Sequence, residues 1–247
     1  MKKMMLVAAA CAMVAAPSVL FAQDEPVTSV NVVGYYSVTI ERGSELMLSA
    51  PLIPIDGSTI PDIIGDQLPV RSRVFVWDRS AEPPRYRTLT YDPVDPRNPD
   101  GDPVWGGATD VVVSSGDGFF VRIPSDAVQP AYSVTLMGEV PGAGNEYGTV
   151  TLSGLSGYNM VALAFPVDIV FTETELASNA DVLQILLWNE DPADQRYIPF
   201  SRQADRGVPF AGDWPENPPT IPAGRAFWVR TGAPIDWTET APYLGNL

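Results

Sequence analysis

Histidine is absent from this 247-residue chain, and cysteine and lysine are almost absent. The single cysteine is Cys11, and the only lysines are Lys2 and Lys3, so all three lie near the start of the chain. Without histidine, Ser-His-Asp and Cys-His triads are excluded, as are histidine-based zinc and iron sites. Beyond residue 11, thiolate chemistry, Schiff bases and a Walker lysine are excluded as well.

Residues 1–22 have the pattern of an export signal. Lys2 and Lys3 form a positive head, an uncharged apolar stretch follows, and Leu20-Phe21-Ala22 offers a cleavage site. The apolar stretch is short and is interrupted by Pro17, which argues against a permanent membrane span. The pattern therefore predicts cleavage and no membrane span in the mature chain.

Cleavage after residue 22 would leave Gln23 at the new N-terminus. The alternative is lipid attachment at Cys11, because residues 8–11 resemble a bacterial lipobox. We expect an exported protein, located outside the cell, at the cell surface or in the periplasm.

The mature chain is strongly acidic. Removal of the two lysines leaves 13 arginines against 30 acidic residues, a net charge near −17, compared with −15 for the full chain. Such a surface repels nucleic acid and anionic lipid, so we expect neither as a partner. It attracts divalent cations.

Twenty glycines and 25 prolines separate short apolar runs along the chain, which is typical of an all-β protein. The length suffices for two domains with their own cores. The run around Trp77 is apolar on both faces, which predicts a central strand. Val111–Val113 predicts the start of another strand.

One segment of this pattern occurs twice. Val74–Asp78 is followed by Arg85-Tyr86, and Ile185–Asn189 is followed at the same spacing by Arg196-Tyr197. Further matches keep the same order at offsets of about 108 to 113 residues, as loop insertions in a duplicated chain would produce. They pair Val38-Thr39-Ile40 with Val150-Thr151-Leu152, Trp105 with Trp214, and Phe119–Arg122 with Phe227–Arg230.

The duplication predicts an all-β fold of two tandem, related β-sandwich-like units, spanning residues 23–140 and 150–247. Residues 141–149 form the linker, since Pro141–Gly144 have little side chain to pack. Each unit is expected to carry one short helix. Thr59–Asp62 begins the first, and Thr172–Leu176 begins the second with a capping-box pattern.

Two family resemblances rest on these residues. Asn31-Val32-Val33-Gly34-Tyr35 after an export signal resembles the start of an uncharacterised family of secreted proteins of Verrucomicrobia-type bacteria. Gly157–Val161 is similar to the Gly-Trp-Asn-Leu-Val strand of β-domains in bacterial surface proteins, and Ser44–Leu46 departs from that pattern in the first copy. The resemblance implies a fold and a surface location. It implies no activity, because none is established for the family.

A loop between residues 92 and 102 contains the strongest metal-binding pattern. Oxygen-bearing side chains are clustered there, and calcium prefers such ligands. The expected ligands of this Ca²⁺ cofactor are Asp95, Asn98, Asp100 and Asp102. The alternative is a turn-rich stretch, because Asp, Asn and Pro favour turns.

Two tryptophans, Trp105 and Trp214, occupy matching places in loops rich in Pro and Gly. Loop aromatics on β-sandwiches can stack on sugar rings, which makes these two residues the candidate ligand-binding pair. Their recurrence in both copies also fits a structural plug at the end of each sandwich.

The leading functional expectation is a non-catalytic exported protein of the cell surface or envelope with a structural or adhesive role. Its expected partners are cell-surface polysaccharide or further copies of itself. The alternative is a carbohydrate-binding protein that uses its loop aromatics. A third interpretation is a glycosidase with a carboxylate pair, since carboxylates are the main catalytic groups that remain. Candidate acids for it include Glu139, Glu173, Glu175 and Glu190.

Overall fold

The computed structural model describes residues 32–92, 101–142 and 148–244. About half of the chain is strand, arranged in four antiparallel sheets, and helix is confined to short segments. The prediction of an all-β fold is confirmed. The export signal, most of the calcium loop and part of the linker lie outside the described residues.

The first unit, described over residues 32–142, is a sandwich of two sheets. A five-stranded sheet has the order β2-β7-β4-β5-β6, and a three-stranded sheet has the order β1-β8-β3. A cluster of buried apolar side chains from both sheets forms the core, with the helix α1 packed against it. The elements are β1 (Val33–Glu41), β2 (Glu45–Ser49), β3 (Ile53–Pro54), α1 (Ile60–Ile64), β4 (Arg73–Asp78), β5 (Arg85–Asp92), β6 (Val104–Gly107), β7 (Gly118–Arg122) and β8 (Ala131–Glu139).

The second unit, residues 148–244, is built on a four-stranded sheet of order β12-β11-β14-β9 and a small sheet of β10 and β13. Its elements are β9 (Thr149–Ala162), β10 (Ile169–Val170), a 3-10 turn (Phe171–Glu173), α2 (Glu175–Ser178), β11 (Val182–Trp188), β12 (Tyr197–Ser201), β13 (Thr220–Ile221) and β14 (Ala226–Thr240). Each of the long strands β9 and β14 covers the length of two strands in the first unit. Register shifts interrupt their pairing after Thr231, and bulges of this kind bend a strand pair. Both halves of the pair therefore line a single core.

The strand registers of the two units correspond. Trp77 lies opposite Tyr86 between β4 and β5, and Trp188 lies opposite Tyr197 between β11 and β12. Val121 faces Val74 across β7 and β4, just as Val229 faces Ile185 across β14 and β11. The residue pairs matched in the sequence thus occupy matching places in the two sheets, and β4 is the central strand of its sheet, as expected.

Val111–Val113 does not form the expected strand. Only Val112 pairs, in an isolated bridge with Thr59. Thr59 is also the N-cap of α1, so the backbone turns into a helix at Ile60 and offers no extended partner beyond that point. The matching contact in the second unit is Val170 with Thr220. There the strand pairing is two residues long, and the 3-10 turn begins directly after it.

Both helix starts are capped by threonine. The Thr59 backbone N–H and hydroxyl donate to the Asp62 carboxylate, which satisfies the polar groups of the N-cap residue of α1. In the second unit the cap lies at Thr174, two residues later than the expected Thr172, and its hydroxyl oxygen accepts a bond from Ala177 N. Residues 171–173 form the 3-10 turn there, so the α-helix begins only at Glu175.

Candidate functional site

The predicted calcium loop is described only at its end. Asp95, Asn98 and Asp100 lie outside the described residues, and Asp102 is exposed at the point where the description resumes. Within the described ranges, no three acidic side chains come together as a metal-binding group. Calcium binding by this loop stays a prediction.

Trp105 anchors the end of α1 in the first unit. Its indole Nε1 donates a hydrogen bond of 2.8 Å to the carbonyl oxygen of Gly65. The half-buried ring packs against the core of its own unit and lies 5.1 Å from the ring of Tyr91. The residue thus ties the β6 region to the last carbonyl groups of the helix.

Trp214 has the same role in the second unit. Its Nε1 donates to the carbonyl oxygen of Ala177 in α2 at 2.9 Å. One neighbour, Phe200, is stacked on its ring at 5.4 Å, and the guanidinium of Arg202 lies 4.8 Å from the ring centroid. The two tryptophans therefore belong to separate cores and anchor separate helices, an arrangement that favours the structural plug.

An aromatic junction between the units is the feature that sequence reasoning missed. The five-stranded sheet of the first unit and the four-stranded sheet of the second face each other across a third apolar cluster. We call this cluster the aromatic junction. Its members are Met47, Phe75, Trp77, Phe120, Met160, Ala162, Leu186, Trp188, Ala226 and Trp228.

The ring contacts of the junction occur in matching pairs. Trp77 meets Trp228 edge-on with centroids 4.9 Å apart, and Trp188 meets Phe120 edge-on at 5.2 Å. Trp77 corresponds to Trp188 in the duplication, and Phe120 corresponds to Trp228. Each contact is therefore the counterpart of the other with the units exchanged, and edge-on packing is a favourable arrangement for aromatic rings.

Backbone hydrogen bonds across the junction are reciprocal in the same way. Ser49 N donates to Gly224 O at 3.0 Å, and Ala162 N donates to Gly116 O at 2.9 Å. Ser49 corresponds to Ala162, and Gly224 corresponds to Gly116. Reciprocal contacts of this type define an isologous twofold interface in a homodimer. The chain thus reproduces, within one polypeptide, the interface of a twofold dimer.

Tyr86 and Tyr197 correspond to each other, and they meet across the junction through their hydroxyl groups. Burial raises the pKa of both phenols, so both stay protonated near neutral pH. Trp228 Nε1 donates to the Tyr197 hydroxyl at 3.2 Å. The symmetry is broken at the other indoles. Trp188 Nε1 donates to Glu45 O at 2.9 Å, whereas Trp77 Nε1 is buried with no hydrogen-bond partner among the described residues.

A cleft of about 510 Å³ opens at the border of the two units. Its walls come from the loop after β4, the segment before β7 and the first half of β9. Its lining includes five charged side chains: Asp78, Arg79, Arg87, Asp110 and Asp117. We call it the border cleft.

Two carboxylates of the border cleft have pKa values shifted in opposite directions. Burial raises the pKa of Asp117, although its carboxylate binds Arg79 Nη2 at 2.6 Å. Hydrogen bonds from Ser80 lower the pKa of Asp78, whose Oδ1 accepts from the Ser80 hydroxyl at 2.6 Å. Opposite shifts in one cleft are a property of acid and base pairs in hydrolases. Both carboxylates are nevertheless held by internal partners.

The second unit carries the same ion pair with its charges exchanged. Glu190 stands where the first unit has Arg79, and Arg225 stands where it has Asp117. Glu190 and Arg225 form a bidentate ion pair. Arg225 Nη1 also donates to the hydroxyl of Tyr36 in the first unit at 2.7 Å. The acidic and basic residues have exchanged places between the two units, but the ion pair itself is kept. Its role is therefore to hold the loop against the sheet, because an ion pair does this equally well in either orientation.

Glu239 is a buried carboxylate near the start of α2. It is 6% exposed, and it accepts hydrogen bonds from Trp237 Nε1 at 3.1 Å and from Glu175 N at 2.9 Å. Burial raises its pKa above the ordinary value of 4.5, and these hydrogen bonds offset part of that effect. Its contacts join β14 to the helix of the same unit, so its role is structural.

We expect Glu239→Gln to change the pH dependence of stability. A carboxyl group whose pKa is higher in the folded state binds its proton more tightly there. Its contribution to stability is present below the unfolded pKa and is lost as the pH rises through the folded pKa. The original protein should therefore lose stability relative to the variant as the pH rises from the unfolded pKa of about 4 through the raised folded pKa. Urea unfolding across this range measures the difference.

The control for this experiment is Glu216→Gln, at an exposed position of the same unit. Its unfolding free energy should follow that of the original protein at every pH. Curves for Glu239→Gln that run parallel to those of the original protein would contradict the assignment of a raised pKa to Glu239.

Comparison with models of known protein families and with curated protein sequences finds no match to this chain. Among the described residues, the helices are too short to cross a lipid bilayer.

Proposed function

We propose that the protein is a non-catalytic component of the cell surface or envelope with a structural or adhesive role. The aromatic junction is the observation that carries the proposal. It joins two sandwiches through apolar faces, aromatic contacts and reciprocal backbone bonds, so that the pair forms one continuous block. Such a block is suited to bearing load or presenting a surface. The aromatic residues of the junction hold the two units together.

The polar groups of the border cleft support the same interpretation. Asp117 is engaged by Arg79 and by Ser114 N, and Asp78 is engaged by Ser80, Ala81 and Arg87. Side chains held in this way stabilise loops. The exported location rests on residues 1–22 and on the resemblance to secreted and surface proteins.

Fractionation of the native organism tests the location and role together. We expect the protein in the envelope or surface fraction, with residues 1–22 removed when the band is examined by mass spectrometry. Recovery from the cytoplasm with an intact Met1 would contradict the proposal. A lipid-modified Cys11 would replace cleavage before Gln23 by a lipid anchor.

A glycosidase with a carboxylate pair is the second candidate, and the opposite pKa shifts of Asp78 and Asp117 favour it. In this interpretation Asp117, whose pKa is raised, would act as general acid, and Asp78, whose pKa is lowered, would act as base or nucleophile. The carbohydrate-binding alternative through Trp105 and Trp214 has less support, because each half-buried ring packs against the core of its own unit.

Hydrolysis assays separate these candidates. We expect purified residues 23–247 to release no reducing sugar from a panel of neutral and acidic polysaccharides. Sustained release that Asp117→Asn abolishes without loss of folding would refute the non-catalytic proposal. The matched control is Asp110→Asn, because the Asp110 side chain is 82% exposed at the rim of the same cleft. It should leave any such activity unchanged.

A further inference from the structure

A row of polar side chains extends the face of the five-stranded sheet that carries the aromatic junction, beyond the junction itself. Glu45, Arg122, Arg73 and Thr90 lie side by side across β2, β7, β4 and β5. Because alternate residues of a strand share a face, Arg73 lies on the face of Phe75, and Arg122 lies on the face of Phe120. We call these four residues the first polar row.

The first polar row contains an electrostatic conflict. Arg73 and Arg122 are direct cross-strand partners, and like charges in that position repel each other. Arg122 is 3.4 Å from Glu45, but the Arg122 side chain is 53% exposed, so this ion pair is weak. The Arg73 side chain makes no hydrogen bond or ion pair within the described ranges. An anion bound between the two guanidinium groups would remove the conflict.

A third arginine lies beside them. Arg71 has a left-handed backbone conformation with φ of 71°, and its N–H donates to Tyr91 O at 2.6 Å. Its side chain meets Asp126 at 2.7 Å, in a pair that is more than half exposed. Arg71, Arg73 and Arg122 line one groove of about 420 Å³, together with Ser125 and Asp126.

The second unit fills the same place with side chains that bond to one another. Its row is Tyr158, Arg230, Gln184 and Ser201, in the same register. Gln184 stands where the first unit has Arg73. It accepts from the Tyr158 hydroxyl at 3.3 Å and donates to Ser201 Oγ at 2.7 Å.

The arginine of this second row contacts two aromatic rings. Arg230 lies against the ring of Tyr158 at 5.7 Å and the ring of Phe210 at 5.1 Å. The second row thus makes its contacts among its own side chains and with Phe210. Its net charge, one positive charge, equals that of the first polar row, where Glu45 offsets one of the two arginines. The first polar row differs because its two arginines are cross-strand neighbours and the Arg73 side chain has no ion partner among the described residues, an arrangement that the fold does not require in the second unit.

We propose that Arg71, Arg73 and Arg122 bind an anionic group, carboxylate or sulfate, carried by an acidic polysaccharide. Arginine is suited to this role because its planar guanidinium group binds oxyanions in a bidentate manner. This ligand class rests on the proposed adhesive function. Three arginines beside the two acids Glu45 and Asp126 leave one net positive charge, which fits one charged group. Nucleic acid, in contrast, requires an extended basic surface.

Binding of purified residues 23–247 to three polymers tests this inference: polygalacturonate, dextran sulfate and uncharged dextran. We expect binding to at least one charged polymer, weakening as salt is added, and no binding to dextran. Comparing polygalacturonate with dextran sulfate identifies the anionic group as carboxylate or sulfate. Arg73→Gln, which copies the residue of the second unit, should weaken binding about tenfold to a hundredfold.

The matched control is Arg206→Gln, which removes the same charge from an exposed loop of the second unit. It should leave binding unchanged, and both variants should melt at the temperature of the original protein. Equal losses in the two variants, no loss in Arg73→Gln, or equal binding to dextran would each overturn the inference.

Failure of this inference can be distinguished from failure of the proposed function. An envelope-associated protein that binds neither charged polymer refutes the anion site and leaves the structural role in place. Hydrolysis of polygalacturonate during the assay would instead refute the non-catalytic proposal.

Discussion

Trp228→Ala is expected to lower the free energy of unfolding by about 3–5 kcal/mol, the range for removal of a buried aromatic side chain. Trp228 is 8% exposed, packs edge-on against Trp77, and donates its indole N–H to Tyr197. The substitution therefore leaves a cavity between the two sheets and removes a hydrogen bond. Urea unfolding followed by tryptophan fluorescence and circular dichroism measures the loss.

Two controls define the meaning of this result. Trp228→Phe introduces the residue that the first unit has at the corresponding place, Phe120, so it should cost clearly less than the alanine variant. Tyr35→Ala removes a ring that is 72% exposed and should change stability by less than about 0.5 kcal/mol. If Trp228→Ala were as mild as Tyr35→Ala, the aromatic junction would not contribute to stability.

The all-β class and the internal duplication could be predicted because both depend on local patterns. Alternation of apolar residues and frequent turn residues determine strand structure over a few positions. The identical spacing from Trp77 to Tyr86 and from Trp188 to Tyr197 reflects two hairpins with loops of equal length. Such features need no knowledge of which strand lies beside which.

The junction could not be predicted in the same way. The sequence showed that the strand around Trp77 is apolar on both faces, which predicted a central strand. A central position alone would not explain why the outward face of this strand is apolar, because a sandwich of two sheets buries only one face of each sheet. The adjacent large residues Phe119-Phe120 and Phe227-Trp228 also place apolar side chains on both faces of their strands. Together they show that each outward face is covered, but they do not identify the other unit as the cover.

The polar sites depend on register across several strands, which one sequence does not supply. Arg73 and Arg122 are 49 positions apart in the sequence and become neighbours only when β4 pairs with β7. The exchange of acidic and basic residues between the two ion pairs could not be predicted for a similar reason. Arg79 and Glu190 are related by an offset of 111 positions, and Asp117 and Arg225 by 108, so their correspondence emerges only after the sheets are aligned.

Gly118→Ala is expected to destabilise the protein by about 1–3 kcal/mol, the usual cost of overpacking. An added Cβ at Gly118 would lie 2.5 Å from the Cβ of Ala226 and 2.7 Å from Cγ of Met160. Gly118 and Ala226 correspond in the duplication, so they face each other near the approximate twofold axis of the junction. The backbone at Gly118 does not have the left-handed conformation that would penalise alanine by itself. Steric contact between the units is therefore the cause of the expected loss.

A double-mutant cycle separates this contact from other effects. Ala226→Gly removes the methyl group that the new side chain would meet, so Gly118→Ala with Ala226→Gly should recover part of the stability lost in Gly118→Ala. Coupling of about 0.5–3 kcal/mol is typical of residues in contact, and we expect a value within that range. Gly232→Ala is the control, because its Cβ would meet only the flexible end of Leu183 in the same unit, at 3.3 Å. Additive losses from the two single substitutions would show that Gly118 and Ala226 are not in contact, and would remove the closest approach on which the approximate twofold axis depends.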